Sequence, residues 1–186
     1  MTGHGVFMKR DVFAGDGVLA LCAYLPEDCA ADYADWFDPD TRSGYNGFVP
    51  SGGFEAFQKR ERPRGLYCSI VALAETTCIG VIMIDPEQPD IAIRIFRPYR
   101  GNGYGTRAFR LAVRYAFETL GYREVFAGCY PWNVRSRQML ASCGFVPHPE
   151  TNQTKQHYET GEEIVEYDYV CRNPAFSCGC DVPGAK

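Results

Sequence analysis

The chain switches between two spacings of apolar residues. GVLALCAYL, residues 17–25, is a continuous apolar run of strand length. Pro26 then suits the first turn of a helix, with Glu27 and Asp28 at its positive end. That helix carries Tyr33, Ala34, Trp36 and Phe37 and is expected to stop near Asp38-Pro39. Residues 40–53 read as loop, and FEAFQKRE as a short helix. LYCSIVALA, TCIGVIMID and DIAIRIF follow as three β-branched runs between turn residues, the pattern of consecutive antiparallel strands. The spacing then becomes helical: in TRAFRLAVRYAFETL, Phe109, Ala112, Val113, Ala116 and Leu120 share one face, and Gly121 is placed as a C-terminal cap. EVFAGCY is a strand. Asn133 is placed to cap a helix through Leu140 to Cys143, which Gly144 ends. YETGEEIVEYDYVC reads as a hairpin turning near Gly161, and residues 173–186 as a loose tail. Strands and helices mix without strict alternation, which predicts an α+β (mixed α/β) fold around one sheet. It is expected to form one domain over residues 1–186 with its core at about 14–172.

Composition narrows the class. Hydrophobic residues make up 46% and charged residues 23% of the 186, enough apolar matter for a sizeable core and too little charge for global disorder. No apolar run approaches the ~18 residues of a spanning helix, and MTGHGVFMKRDVFAG lacks the layout of a signal peptide. The expectation is a soluble cytoplasmic protein without a membrane partner, monomeric or homodimeric. A net charge of −4 argues against nucleic acid as a partner. The nine cysteines are scattered and odd in number, and Cys22, Cys68, Cys129 and Cys171 lie in apolar runs, so they read as reduced core residues. Cys178-Gly179-Cys180 lacks obvious histidine partners, and no metal is expected. Between Asp11 and Thr41 lie eight acids and no Lys or Arg, a block that reads either as a solvated helix face or as an attractor of a cation.

One stretch carries chemistry. RPYRGNGYGTRAFRLAV sets Gly101, Gly103 and Gly105 between a strand and a helix, behind Arg100. Glycines there allow positive φ and close approach of a ligand. The amides of a helix start favour phosphate, and Arg100 adds a charged donor. The inference is a pyrophosphate site. A Walker loop requires Gly-Lys-Ser/Thr, whereas Thr106-Arg107 follow Gly105. A dinucleotide fingerprint requires Gly where Thr106 stands, and its acid should end the next strand, whereas Glu124 begins it.

Arg100-Gly101-Asn102-Gly103-Tyr104-Gly105 resembles the acyl-CoA pyrophosphate loop of the GNAT superfamily of N-acetyltransferases. A second match follows at the family's distance: Asn133, Ser136, Leu140 and Gly144-Phe145. The element order agrees over roughly residues 14–172. DWFDPDTR and EYDYVCR also resemble the branch that acetylates ribosomal-protein N-termini. The resemblance implies a GNAT-like acyl-CoA N-acyltransferase fold, a mostly antiparallel sheet whose middle strands splay to receive acetyl-CoA. These would be DIAIRIF and EVFAGCY. Backbone groups of Arg94, Ile95 and Phe96 would line the pantetheine and polarise the acetyl carbonyl. Arg100, Gly101, Asn102, Gly103, Tyr104, Gly105 and Thr106 would hold the pyrophosphate, with Asn133 contacting the cofactor or capping its helix.

The resemblance further implies direct attack by an amine on the thioester, in a ternary complex. An amine arrives mostly protonated, so a base is required. Asp90, where many relatives carry Glu, and Glu166 on the last strand are the candidates. The departing thiolate needs a donor. The helix tyrosine of many relatives is replaced by Leu140, so the role falls to Ser136, with Tyr130 as a second donor. Trp36, Phe37 and Tyr45 would shape the acceptor pocket, and Arg107, Arg110 and Arg114 form either a solvated face or a 3′-phosphate contact. The acceptor is expected to be a protein N-terminus or a small cationic amine. A non-catalytic acyl-CoA-binding module and a nicotinamide-dependent oxidoreductase are the alternatives.

Overall fold

A computed structural model describes residues 10–176. The chain opens with strands β1 (Val12–Gly15) and β2 (Leu19–Ala23), then helices α1 (Cys29–Asp35), α2 (Pro39–Gly44) and α3 (Gly53–Gln58). Strands β3 (Tyr67–Ala72), β4 (Thr77–Ile84) and β5 (Ile91–Ile95) follow, then α4 (Tyr104–Glu118), β6 (Glu124–Cys129) and α5 (Val134–Ser142). Three strands close the order: β7 (Val146–Pro147), β8 (Gln153–Gln156) and β9 (Glu163–Arg172).

Strands β1 to β5 form one antiparallel sheet in chain order, and β6, β9 and β7 a second, with β8 also paired to β9. The two halves meet where β5 begins. Asp90 bridges Phe126 in parallel, and the Phe126 amide donates to the Pro89 carbonyl at 2.8 Å. Beyond that apex β5 and β6 belong to separate sheets, in keeping with the splay that the family resemblance implies. Helix α4 covers one face of the sheets. It buries Ala108, Phe109, Leu111, Ala112, Val113, Tyr115 and Ala116 against a core that includes Leu19, Leu21, Ile70, Ile79, Ile82, Val125 and Leu140. Phe109 meets Phe145 with ring centroids 5.4 Å apart, tying α4 to the chain after α5.

Four expectations change. The segment 40–53 is not all loop. Asp38 accepts from the amides of Asp40 (3.1 Å) and Thr41 (3.2 Å), and with Pro39 it starts α2, so the first helix ends three residues earlier than expected. Strand β1 is a short edge strand without a full apolar alternation, so the sequence pattern does not predict it. In the last hairpin the turn near Gly161 holds, but the first strand is Gln153–Gln156 and lies ahead of Tyr158. The start of the expected tail is ordered: Asn173 is buried and bonds the carbonyls of Arg123 and Tyr122. Cys178 and Cys180 lie outside the described residues.

The acidic block is a larger correction. Each of its eight acids has an arginine partner brought from elsewhere in the chain. Arg10 holds Glu27 and Asp28, Arg64 holds Asp11, and Arg107 holds Asp16. Arg94 holds Asp32 and Asp35, while Arg100 holds Asp35, Asp38 and Asp40. Asp28, Asp32 and Asp35 are buried. Asp28, Asp32 and Asp35 are therefore not part of a solvated face, whereas Asp11, Glu27 and Asp40 stay exposed, and the paired block is not a free cation attractor. Its part from Asp32 to Asp40 is the internal charge balance of α1 and α2.

Candidate active site

The glycine turn lies at the open end of the splay. A short 3-10 turn over Arg97–Tyr99 leads from β5 into it, and Gly101 (φ +84°) and Gly103 (φ +76°) take left-handed backbone. A Cβ added at either would meet open space, so the backbone surface here is bare. Gly103 is the N-cap of α4, and the first helical bond runs from the Arg107 amide to the Gly103 carbonyl at 3.2 Å. The amides of Tyr104, Gly105 and Thr106 therefore have no partner in the preceding turn of helix and open on that bare surface. Gly105 faces inward, toward Ile95 and Met139. Asn102 folds back on the carbonyls of Tyr99 and Arg100. The arrangement suits a pyrophosphate held by backbone amides at a helix dipole.

Arg100 belongs to this loop by its backbone, but its side chain points elsewhere. The guanidinium bonds Ile95, Asp35, Asp38 and Thr41. Arg107 pairs with Asp16, Arg110 bonds the Ser142 carbonyl, and Arg114 bonds the Gly15 carbonyl and reaches Glu118 at 3.9 Å.

Strand β5 decides which peptide groups face the cleft. The Phe96 amide donates to Ile79 on β4 at 2.9 Å, and the Arg94 carbonyl lies against Gly80. On the other edge, the Ile93 carbonyl accepts from the Tyr45 hydroxyl (3.0 Å) and the Ile95 carbonyl from Arg100 Nε (2.7 Å). Amide and carbonyl of one residue leave an antiparallel strand on the same side. The cleft-facing amides are thus those of Ile93 and Ile95. Of the expected trio only Ile95 presents its backbone; the Phe96 amide is spent on β4 and the Arg94 peptide is turned toward it. Strand alternation was the signal that could have added Ile93.

The Arg94 side chain is buried between Asp32 and Asp35, with its guanidinium 3.8 Å from the Trp36 ring centroid. Trp36 packs on Tyr45 and Phe48 at 5.1 and 4.9 Å, so Trp36 is a wall behind Tyr45 and Arg94. Burial pushes the Tyr45 hydroxyl up to about 12, keeping it a neutral donor.

At the apex, Asp90 enters a cluster of ionisable groups. Glu166 and Asp168 alternate on β9 and lean over Gly128, where an added Cβ would lie 3.2 and 3.3 Å from their oxygens. Lys155 on β8 pairs with Glu166. Tyr130, just past β6, is buried and within reach of Lys155 and Glu166. Burial first, then the charges of Asp168, Glu166 and Asp85, push the Asp90 carboxyl up to about 7, against the pull of Lys155. Burial also raises Asp168. The sequence singled out Asp90, Glu166 and Tyr130 and missed Asp168 and Lys155. Residues 166 and 168 share a strand face, which was the available signal for Asp168.

Asn133 accepts from the Ser136 amide at 3.1 Å and so caps α5. Ser136 is half-buried in the first turn of α5, beyond the end of β6. Hydrogen bonds form a strap from the end of α2 to the segments after β6 and β8. Trp132 Nε1 donates to the Ser43 carbonyl (3.0 Å), and Asn46 donates to the Gln156 carbonyl (2.8 Å) and accepts from the Tyr158 amide (3.0 Å). Tyr130 stacks on Trp132 with centroids 5.1 Å apart, and His157 meets Trp132 edge-on at 4.9 Å.

The chain matches the model of the acetyltransferase (GNAT) domain over residues 19–146. It belongs to the GNAT acetyltransferase family. Solved structures share the fold at low identity. A GNAT-family acetyltransferase from Bacillus anthracis is 18% identical, with TM-score 0.71 over 87% of this chain and 97% of that one. A spermidine N-acetyltransferase from Vibrio cholerae, solved with CoA and spermine, is 15% identical, with TM-score 0.71 over 84% and 96%. The ribosomal-protein-S5-alanine acetyltransferase from Vibrio fischeri is 18% identical, with TM-score 0.63 over 86% and 96%. A curated relative, FsC-acetyl coenzyme A-N(2)-transacetylase from Aspergillus fumigatus, is 37% identical over 80 residues. That match covers 43% of this GNAT chain and 33% of the relative, so the chain spans about a third of that relative's length. Among the described residues no His, Cys, Asp and Glu side chains group to hold a metal ion, and no helix is long and apolar enough to cross a membrane.

Proposed function

We propose that the chain transfers an acetyl group from acetyl-CoA directly to a primary amine, with Asp90 as the base. The observation that carries this is the layout along one strand. The bare glycine loop follows one end of β5, and a carboxylate raised to about 7 stands at the other. Between them lie five strand steps, about 17 Å. The loop backbone from Arg100 through Thr106 would hold the pyrophosphate, the Ile95 amide would meet the pantetheine, and the Ile93 amide, on the same edge and nearer Asp90, would polarise the acetyl carbonyl. Asp90 accepts a proton from the incoming ammonium, directly or through a water, and the free amine attacks the thioester carbon. The carbon–sulfur bond breaks, the thiolate takes a proton from Ser136 or Tyr130, and that donor recovers one from the protonated nitrogen of the new amide. Holding both reactants in the splay supplies the rest of the rate.

The acceptor reading follows from the charges left over. The acids of α1 and α2 are matched by arginines, whereas Asp90, Glu166 and Asp168 face Lys155 and, at Asp168, His148. That favours a cationic acceptor. The strap from residues 43–46 to 156–158 favours a slender one: a small amine or the flexible N-terminus of a protein, as in the ribosomal-protein branch. Two measurements test the proposal. Acetyl-CoA at about 100 times its dissociation constant should add about 2.7 kcal/mol of stability, while ATP and NADH add none. Initial rates with both substrates varied should give intersecting lines. Parallel lines with an acetylated enzyme would refute direct attack.

A further inference from the structure

We propose that Arg100 is a positioning residue that splints the reactive edge of β5 to the acceptor-side helices, and that it does not bind the pyrophosphate. This rests on the acetyl-transfer reading above. All three guanidinium nitrogens are in use. Nε donates to the Ile95 carbonyl at 2.7 Å, Nη2 to Asp35 Oδ1 and Thr41 Oγ1 at 2.8 Å each, and Nη1 to Asp38 Oδ1 at 2.5 Å. Asp40 stands 3.5 Å from Nη1. Asp35 is shared, its Oδ2 accepting from Arg94 at 3.2 Å and Thr41 at 3.0 Å. Asp38 is shared as well, since it caps α2. Partial burial works against the Asp38 charge, yet the bond from Arg100 helps hold its carboxyl below the usual range.

These contacts join three pieces of chain: the end of β5, the end of α1 and the start of α2. The far end of α2 repeats the attachment, because Tyr45 donates to the Ile93 carbonyl. Helix α2 is therefore pinned at both ends to the two cleft-facing peptides of β5, at Ile95 through Arg100 and at Ile93 through Tyr45. Turning Arg100 toward a pyrophosphate would break four hydrogen bonds and remove an arginine from the buried Asp35, whose desolvation is costly without its partners. Its charge is committed to α1 and α2, and the loop offers backbone amides instead.

Truncated donors separate the two roles. S-acetylpantetheine carries the thioester and lacks the pyrophosphate. If Arg100 positions Ile95, Arg100→Gln lowers kcat about ten- to a hundredfold with acetyl-CoA and with S-acetylpantetheine alike. A loss with acetyl-CoA alone, with the truncated donor within about twofold of wild type, would overturn the proposal. Asp38→Asn is the second variant, chosen because asparagine keeps the helix cap. Released from Asp38, a pyrophosphate ligand would bind acetyl-CoA more tightly. A positioning Arg100 leaves the acetyl-CoA Kd unchanged while kcat falls. Tighter binding would overturn the proposal. Wild-type protein that binds acetyl-CoA and transfers nothing would refute the acetyl-transfer reading instead, and the Kd comparison for Asp38→Asn would still decide the role of Arg100.

Discussion

Replacing Asp90 by asparagine should cost activity and gain stability, and the gain should depend on pH. The carboxyl is raised from an ordinary 3.8 to about 7 by burial and by Asp168, Glu166 and Asp85, with Lys155 opposing. Between those values the folded protein binds a proton that the unfolded chain has lost, so ionising Asp90 destabilises the fold as pH rises. Fully ionised, the difference amounts to on the order of 4 kcal/mol. At pH 5.5 only about half of that cost applies, and by pH 8 nearly all of it. Asp90→Asn carries no charge at any pH. Relative to wild type it should therefore gain about 2 kcal/mol more at pH 8 than at pH 5.5. Urea unfolding of both proteins at the two pH values measures this. In the same variant the loss of the base should lower kcat/KM about a hundredfold or more, and in wild type kcat/KM should fall as pH drops below about 7. A stability difference that does not change with pH, or a variant that keeps its rate, would refute the reasoning.

Other substitutions probe the remaining parts. Lys155→Met removes a cation that opposes the Asp90 shift, so the acidic limb of kcat/KM should move to higher pH; an unmoved limb would separate Asp90 from the cluster. Gly103→Val meets open space but a left-handed φ of +76°, so it should cost about 1–2 kcal/mol of stability and weaken acetyl-CoA binding. Near-normal affinity in the folded variant, read by titration calorimetry, would defeat the loop assignment. Ser136→Ala should lower kcat about tenfold with little change in acetyl-CoA affinity if Ser136 protonates the thiolate. Unchanged single-turnover rates would leave the role to Tyr130, which Tyr130→Phe tests by the same comparison.

What could be read from the sequence was local. The glycine turn, α4 with its buried face, the Asn133 cap and the three antiparallel strands are set by neighbours a few residues apart, and each stands where its spacing placed it. Asp38-Pro39 is equally local, but the same pair that ends one helix also starts the next. What could not be read was pairing at a distance. The acids of 11–40 meet arginines that lie far along the chain, Arg107 for Asp16 and Arg100 for Asp35, at separations of 91 and 65 residues. Charge counts within a window miss such partners. Asp90 was identified by its position before the loop, but its environment comes from Lys155, Glu166 and Asp168 on β8 and β9. Arg100 shows the same limit. Its place in the loop suggested a phosphate ligand, and its side chain serves the helices α1 and α2.

The central claim is acetyl transfer to a cationic primary amine. Its most direct test is thiol release from acetyl-CoA across a panel of polyamines, lysine derivatives and N-terminal peptides, with product masses recorded. The account predicts release that depends on the amine, rises with pH through about 7, and matches one acetyl group gained by the acceptor. Acetyl-CoA binding with no amine-dependent release anywhere in the panel would contradict it, leaving a domain that holds the cofactor without using it.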